Sequence, residues 1–130
     1  MSSRTSTRRF DSTKSYCVQG FSGSIDAETA ADFAAALDRV VRGRCDGIVL
    51  DFTAVNFFGS VGIVLLRSFV DDTAGRSIPV VLAGGRTVSR PLELGGLSPT
   101  VRIFETLDEA GRVLAEGGIG PSTAEFAVPE

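Results

Sequence analysis

The chain has 130 residues, with 13 Lys+Arg against 16 Asp+Glu, a net charge of −3 and 43% hydrophobic residues. That is one domain with enough apolar material for a core, and it lacks the basic balance of a dedicated nucleic-acid binder. The sequence has no histidine, which excludes Ser-His-Asp and Cys-His catalysis, His metal sites and a His pH switch, and its two cysteines cannot make a four-Cys zinc site.

Residues 1–14 are Ser, Thr and Arg with one Phe and read as a flexible N-terminal arm. A folded domain is expected over residues 15–116. Tyr16–Phe21 reads as its first strand, broken by Ser22-Gly23-Ser24. Asp26 then precedes a helix whose apolar positions Ala30, Phe33, Leu37, Val40 and Val41 share one face. Asp26 suits the free N–H groups at the start of that helix, Glu28 its positive end, and Gly43 its stop.

Gly47–Phe52 is an unbroken apolar run, as expected of a strand covered on both faces. The least charged loop, Asp51 to Ser60, is expected at its carboxyl end, and a second helix should begin near Ser60, with Val61, Leu65 and Phe69 on one side. Ile78–Ala83 reads as a buried strand with Pro79 near its start. Thr87–Leu94 reads as a short helix ended by Gly95-Gly96, and Val101–Phe104 as a short strand. Thr106 and Glu109 form a capping box that opens a last helix to Glu116. Residues 117–130 have Gly and Pro at both ends and no periodicity, and read as a flexible tail.

Alternating strands and helices predict an α/β fold: a mixed, mostly parallel sheet of four to five strands with four helices. Sites on such sheets gather at the carboxyl ends of the strands. The longest uncharged stretch, Phe52 to Leu66, falls short of the ~20 apolar residues that span a bilayer, so no membrane insertion is expected. Arg8-Arg9 is followed by no apolar run, so it does not read as an export signal, and a cytoplasmic protein is expected.

Motifs for enzyme chemistry are weak. Neither G-x-G-x-x-G nor G-x-x-x-x-G-K-[ST] occurs, and Gly84-Gly85-Arg86 reads as a strand-to-helix turn. Asp71 and Asp72 diverge by about 100° around a helix and make no convergent pair. Asp51 reads as a strand-end hydrogen-bond acceptor. Catalytic residues, cofactor and metal are all expected to be absent. Cys17 on the first strand and Cys45 in a turn show no pattern that brings their Cα atoms to bridging distance, so both are expected as independent packing residues with free thiols. Arg44 beside Cys45 favours a thiolate and Asp46 opposes it.

The informative segment is Val55 to Leu66. Its apolar residues Val55, Phe57 and Phe58 lead into Gly59-Ser60-Val61-Gly62 and then Ile63-Val64-Leu65-Leu66. A serine opening a helix is commonly a cap. Here Gly59 lets the backbone bend and Gly62 is expected to leave the first turn open, making the Ser60 hydroxyl approachable by a modifying enzyme. A phosphate there would sit near the positive end of the helix.

The chain resembles the STAS domains of the anti-sigma factor antagonist type. The resemblance runs from Tyr16 to Glu116. It rests on Gly23-Ser24-Ile25-Asp26, on Ile48-Val49-Leu50-Asp51-Phe52 with Val55-Asn56-Phe57-Phe58-Gly59-Ser60-Val61-Gly62-Ile63, on Leu92-Glu93-Leu94-Gly95-Gly96-Leu97, and on Leu107-Asp108-Glu109-Ala110. It implies a small α/β module that binds an anti-sigma factor with serine-kinase activity and so frees a sigma factor. It also implies phosphorylation at the serine of an Asp-Ser-Ser/Thr-Gly motif, which ends the binding. Ser60 falls on that serine and Gly62 on the glycine, while Gly59 stands for the aspartate and Val61 for the second hydroxyl residue. Asp26 falls on a family aspartate at the same surface. The expected partner face is therefore Asp26, Phe57, Phe58, Gly59, Ser60 and Gly62. Two alternatives remain: a docking-only STAS module in a scaffold or transport-associated assembly, with Ser60 a plain cap, and a small-ligand sensor using the loop around Phe57 and Phe58.

Overall fold

The computed structural model describes residues 1–8, 14–96 and 101–116. The expected tail, 117–130, lies outside them. The described elements run β1 (Ser2–Arg8), β2 (Tyr16–Ile25), α1 (Ala30–Val41), β3 (Gly47–Phe58), α2 (Ser60–Gly75), β4 (Val80–Ala83), α3 (Arg86–Leu94), β5 (Arg102–Phe104) and α4 (Leu107–Ala115). The five strands lie in the order β1-β2-β3-β4-β5. β2 to β5 are parallel, and β1 is antiparallel to β2. The mixed, mostly parallel sheet predicted from the sequence is the one observed.

Because β2 to β5 succeed one another in a single direction, right-handed crossovers place α1, α2 and α3 on the same face. That face holds the main core: Phe33, Leu37 and Val40 of α1, Leu66 and Phe69 of α2, and Val88 and Leu92 of α3, over Phe21, Ile48, Leu50, Phe52 and Leu82. Alternate strand residues point the other way. Tyr16, Val18, Val49, Val81 and Phe104 pack under Ala110 and Leu114 of α4. Burial on both faces is why β3 opens on the apolar run Gly47–Leu50. At α4 the Thr106 half of the capping box forms, with the Thr106 hydroxyl accepting from the Glu109 N–H at 3.1 Å.

Four expectations are corrected. Residues 2–8 of the expected N-terminal arm form an edge strand, paired from Ser2↔Ser22 to Arg8↔Tyr16. The segment has no apolar periodicity, and its backbone is satisfied by the edge of β2. Gln19 of β2 is fully buried, and its side-chain oxygen accepts the Thr5 hydroxyl. A buried amide without such a partner is costly.

The break expected at Ser22-Gly23-Ser24 and the loop expected from Asp51 to Ser60 are instead strand. β2 passes through two register shifts, between Gly20 and Ser22 and between Gly23 and Ser24, with Gly23 at φ +85°. The glycine takes a left-handed turn that bends the strand without ending it. β3 runs 12 residues. Its pairing with β4 covers Ile48–Asp51, and Val55, Phe57 and Phe58 pair with β2. The far ends of β2 and β3 thus form a two-stranded ribbon.

The cysteines are not independent. Cys17 and Cys45 are joined as a disulfide, with Cα atoms 5.7 Å apart. Since α1 returns the chain to the amino end of β2, the turn before β3 lies beside the first residues of β2. The Asp46 N–H donates to the Ser15 carbonyl at 2.9 Å, and the Ser15 N–H donates to Asp46 Oδ2 at 2.8 Å. Gly43 lies against the bridge: a Cβ there would be in ordinary contact with both sulfurs and, more tightly, 3.3 Å from the Val40 carbonyl. The left-handed residue of the turn is Arg44, at φ 58°.

Candidate functional site

The ribbon ends where two helices begin. Ile25 pairs with Phe58 at its tip, and the Gly59 N–H donates to the Ile25 carbonyl at 2.8 Å. This joins the turn before α1, which carries Asp26, to the first turn of α2, which carries Ser60.

Gly59 is the N-cap of α2 and makes no side-chain cap bond. Its carbonyl accepts the Gly62 and Ile63 N–H groups at 3.0 and 3.3 Å. Ser60 is therefore the first helical residue and not the cap. It is exposed, and its hydroxyl has no hydrogen-bond partner among the described residues. The hydroxyl is approachable, as the sequence implied, but not for the reason given by its neighbours.

Gly62 is buried beneath Ser60. A Cβ on Gly62 would stand 2.9 Å from Ile25 Cγ2 and 3.1 Å from Phe58 Cζ. Its role is close packing of α2 on the ribbon, not an open first turn. Gly59 has φ −86° and ψ 176°, an extended conformation open to any residue. Space is what favours glycine there: a Cβ would stand 3.1 Å from Phe57 Cε2 and 3.3 Å from the Ile25 carbonyl.

The two adjacent phenylalanines part company. Phe57 is 52% exposed, with its ring edge over Gly59. Phe58 is 4% exposed. Its ring meets Phe33 at 6.1 Å and Phe52 at 5.5 Å, both T-shaped. Phe58 is thus removed from the expected exposed face: neighbouring residues of a strand point to opposite sides, and here the inward side falls to Phe58.

Asp26 is half-buried. Its Oδ1 accepts from the Glu28 and Thr29 N–H groups at 3.0 and 3.2 Å. The helix-start role read for Asp26 is carried out one turn ahead of α1, whose N-cap is Thr29. The Thr29 hydroxyl donates to the Ser24 carbonyl at 3.0 Å, and the Ser24 hydroxyl donates to Asn56 Oδ1 at 3.1 Å. These bonds pre-shape the β2–α1 turn.

Two apolar positions beside this surface escaped the sequence reading. Val64 is 63% exposed and lies one turn along α2 from Ser60. Val61 to Leu66 holds five large apolar residues, too many for one buried face, so one had to point outward. Leu94 is 78% exposed at the end of α3. That end packs on α2, where a Cβ on Gly95 would stand 2.9 Å from Ile63 Cγ2. Arg67 of α2 donates to the Gly95 carbonyl.

Gly84, Gly85 and Arg86 form the strand-to-helix turn expected of them. With Ser89, Glu93, Arg102 and Glu105 they line a concavity of about 350 Å³. Asp51 lies within β3, not at its end, and accepts the Thr53 N–H at 3.0 Å. Among the described residues no helix is long and apolar enough to cross a membrane.

Residues 8–110 match the model of the STAS domain family. The anti-sigma-F factor antagonist RsfB of Mycobacterium tuberculosis is 38% identical over 94 residues, which cover 72% of this chain and 76% of that protein. The crystal structure of an anti-sigma factor antagonist from Mycobacterium paratuberculosis is similar with a TM-score of 0.70 at 31% identity, covering 84% of this chain and 91% of that one. SpoIIAA, an anti-sigma factor antagonist solved in its unphosphorylated form, shares the fold at 14% identity, with a TM-score of 0.60 over 88% of this chain and 99% of that one.

Proposed function

Since the chain belongs to the STAS domain family and is similar to relatives named for antagonising anti-sigma factors, we propose that it is itself an anti-sigma factor antagonist. In this reading it works in the cytoplasm as a binding module without catalytic activity of its own. It docks on an anti-sigma factor with serine-kinase activity and frees a sigma factor, until phosphorylation of Ser60 ends the docking. One observation carries the reading: Ser60 is exposed at the first position of α2, unpartnered among the described residues, next to Gly59, over which the Phe57 ring lies.

The proposed face combines an aromatic anchor, two exposed aliphatic residues and polar groups held in a fixed turn, a composition suited to a protein interface. The phosphate would meet the free N–H groups of the first turn of α2, so the modified chain keeps its fold. The kinase supplies the base, the nucleotide and the magnesium. Gly59 in place of the family aspartate agrees with the local packing, since any side chain at 59 presses on the Phe57 ring. Phe57 and Gly59 act together in this surface.

Incubation with the cognate kinase and ATP, followed by peptide mapping, tests the switch. Phosphate on Ser60 with loss of partner binding is the expected result. Retained binding with no phosphate from an active kinase leaves a docking-only module.

Phe57→Ala tests the surface separately. Binding to the anti-sigma partner should weaken by about tenfold, as for an aromatic interface anchor. The stability of the free chain should stay within about 0.5 kcal/mol of the parent, as for an exposed position. Equal affinity for parent and variant by isothermal calorimetry would remove Phe57 from the interface.

A further inference from the structure

We propose that the Cys17–Cys45 disulfide is a reversible redox latch, exchanged with low-molecular-weight thiols and disulfides through Cys45, that fixes the turn between α1 and β3 onto β2. The inference stands apart from the proposed binding role and needs no partner.

Its first support is an asymmetry of access. Cys17 is 6% exposed, inside the main core, whereas Cys45 is half-buried in an otherwise exposed turn. An external thiolate needs a clear approach to the sulfur it attacks. Of this pair Cys45 is the more accessible, though it too packs against the main core.

The second support is that the turn has little else to fix it. Gly43, Arg44 and Asp46 are exposed, and Arg44 holds φ 58°, a conformation that non-glycine residues rarely adopt. Besides the bridge, the two Ser15–Asp46 hydrogen bonds tie the turn to the residue that precedes β2. The ladder from Cys17↔Ile48 to Gly20↔Asp51 and the packing of Leu37 and Val40 do not depend on the sulfurs. Opening the bridge therefore loosens the turn and the end of α1 while the sheet stays formed. The loop that the bridge closes spans a sequence separation of 28 residues and includes the β2–α1 turn with Ser24 and Asp26.

The exchange balances as follows. The Cys45 thiolate attacks one sulfur of an external disulfide, forming a new S–S bond and releasing one external thiolate, which takes up a proton. The Cys17 thiolate then attacks the Cys45 sulfur, closing the bridge and releasing the second external thiol. The two cysteines lose two electrons and two protons, and the external disulfide gains both. Reduction is the reverse, with attack on Cys45 and Cys17 as the leaving group.

The test equilibrates the folded full-length chain, without denaturant, in buffers running from reduced to oxidised glutathione. Intact mass after alkylation should show one reversible step between two thiols and none. Oxidised glutathione should label Cys45 in Cys17→Ala at least about tenfold faster than Cys17 in Cys45→Ala, with folding of both checked by circular dichroism. In the unsubstituted chain, amides from Arg39 to Asp46 should exchange hydrogen about tenfold faster after reduction, while those of β4 are unchanged. A bridge inert to reduced glutathione in the folded chain overturns the proposal. So do equal labelling of the two cysteines and exchange rates that ignore reduction; if either variant fails to fold, the measurements on the unsubstituted chain decide.

Discussion

Replacing Phe58 by alanine is expected to remove about 4 kcal/mol of stability, the range for a buried phenylalanine that leaves a cavity. Its ring is 4% exposed and closes a cluster with Phe33 and Phe52. It also floors the first turn of α2, where Phe58 Cζ faces the position of a Cβ on Gly62 at 3.1 Å. Truncation empties the space under Ser60 as well as the core. For a domain of this size the melting temperature should fall by roughly 10–20 °C, and the urea midpoint should fall with little change in slope. Partner binding would then be lost in step with the folded fraction. An unchanged urea midpoint with lost binding would return Phe58 to the surface as an anchor. Phe57→Ala is the contrast: same residue type, one position away, opposite face of the strand.

Ser60→Asp is expected to fold normally and to bind the anti-sigma partner about 150-fold more weakly, which corresponds to about 3 kcal/mol. Ser60 is exposed at the first position of α2, where a carboxylate is favourable to the free N–H groups and the helix dipole. The melting temperature should hold or rise slightly. The complex is different. A partner that closes over a neutral hydroxyl desolvates the new charge without pairing it, and an unpaired buried charge is costly. The phosphate, at about −1.5 to −2 charges, should act more strongly than the aspartate. Ser60→Ala removes only a hydroxyl, so it should bind like the parent and resist the kinase. Titration calorimetry of the three chains with the anti-sigma partner checks this. An aspartate variant that binds like the parent would show that Ser60 lies outside the docked surface.

Much of this was legible in the sequence because local physics repeats in it. Burial on both faces wrote the apolar run of β3. The helical face of Phe33, Leu37 and Val40 placed α1, and Thr106 with Glu109 marked the start of α4. The alternation of these elements fixed an α/β architecture. The Val55–Leu66 segment, with a serine between glycines at its middle, marked the candidate site.

Tertiary structure alone decided that Val55 turns inward while Ala54 and Asn56 face out. Counting by twos from Ile48, Leu50 and Phe52 puts Ala54, Asn56 and Phe58 inside, whereas the buried residues are Val55 and Phe58. The irregular pairing with β2 resets the alternation between them. The edge strand β1 was hidden for another reason. Ser, Thr and Arg carry no apolar pattern, and the strand exists because β2 offers an unpaired edge and a buried Gln19 that needs a hydroxyl. The disulfide was hidden as well. A separation of 28 residues says nothing about distance until β2 and β3 are known to be parallel neighbours; then the turn entering β3 must lie beside the start of β2. Periodicity and capping act within a dozen residues, so they are written in the chain. Register, edge pairing and the meeting of Cys17 with Cys45 depend on which strands become neighbours, and folding settles that.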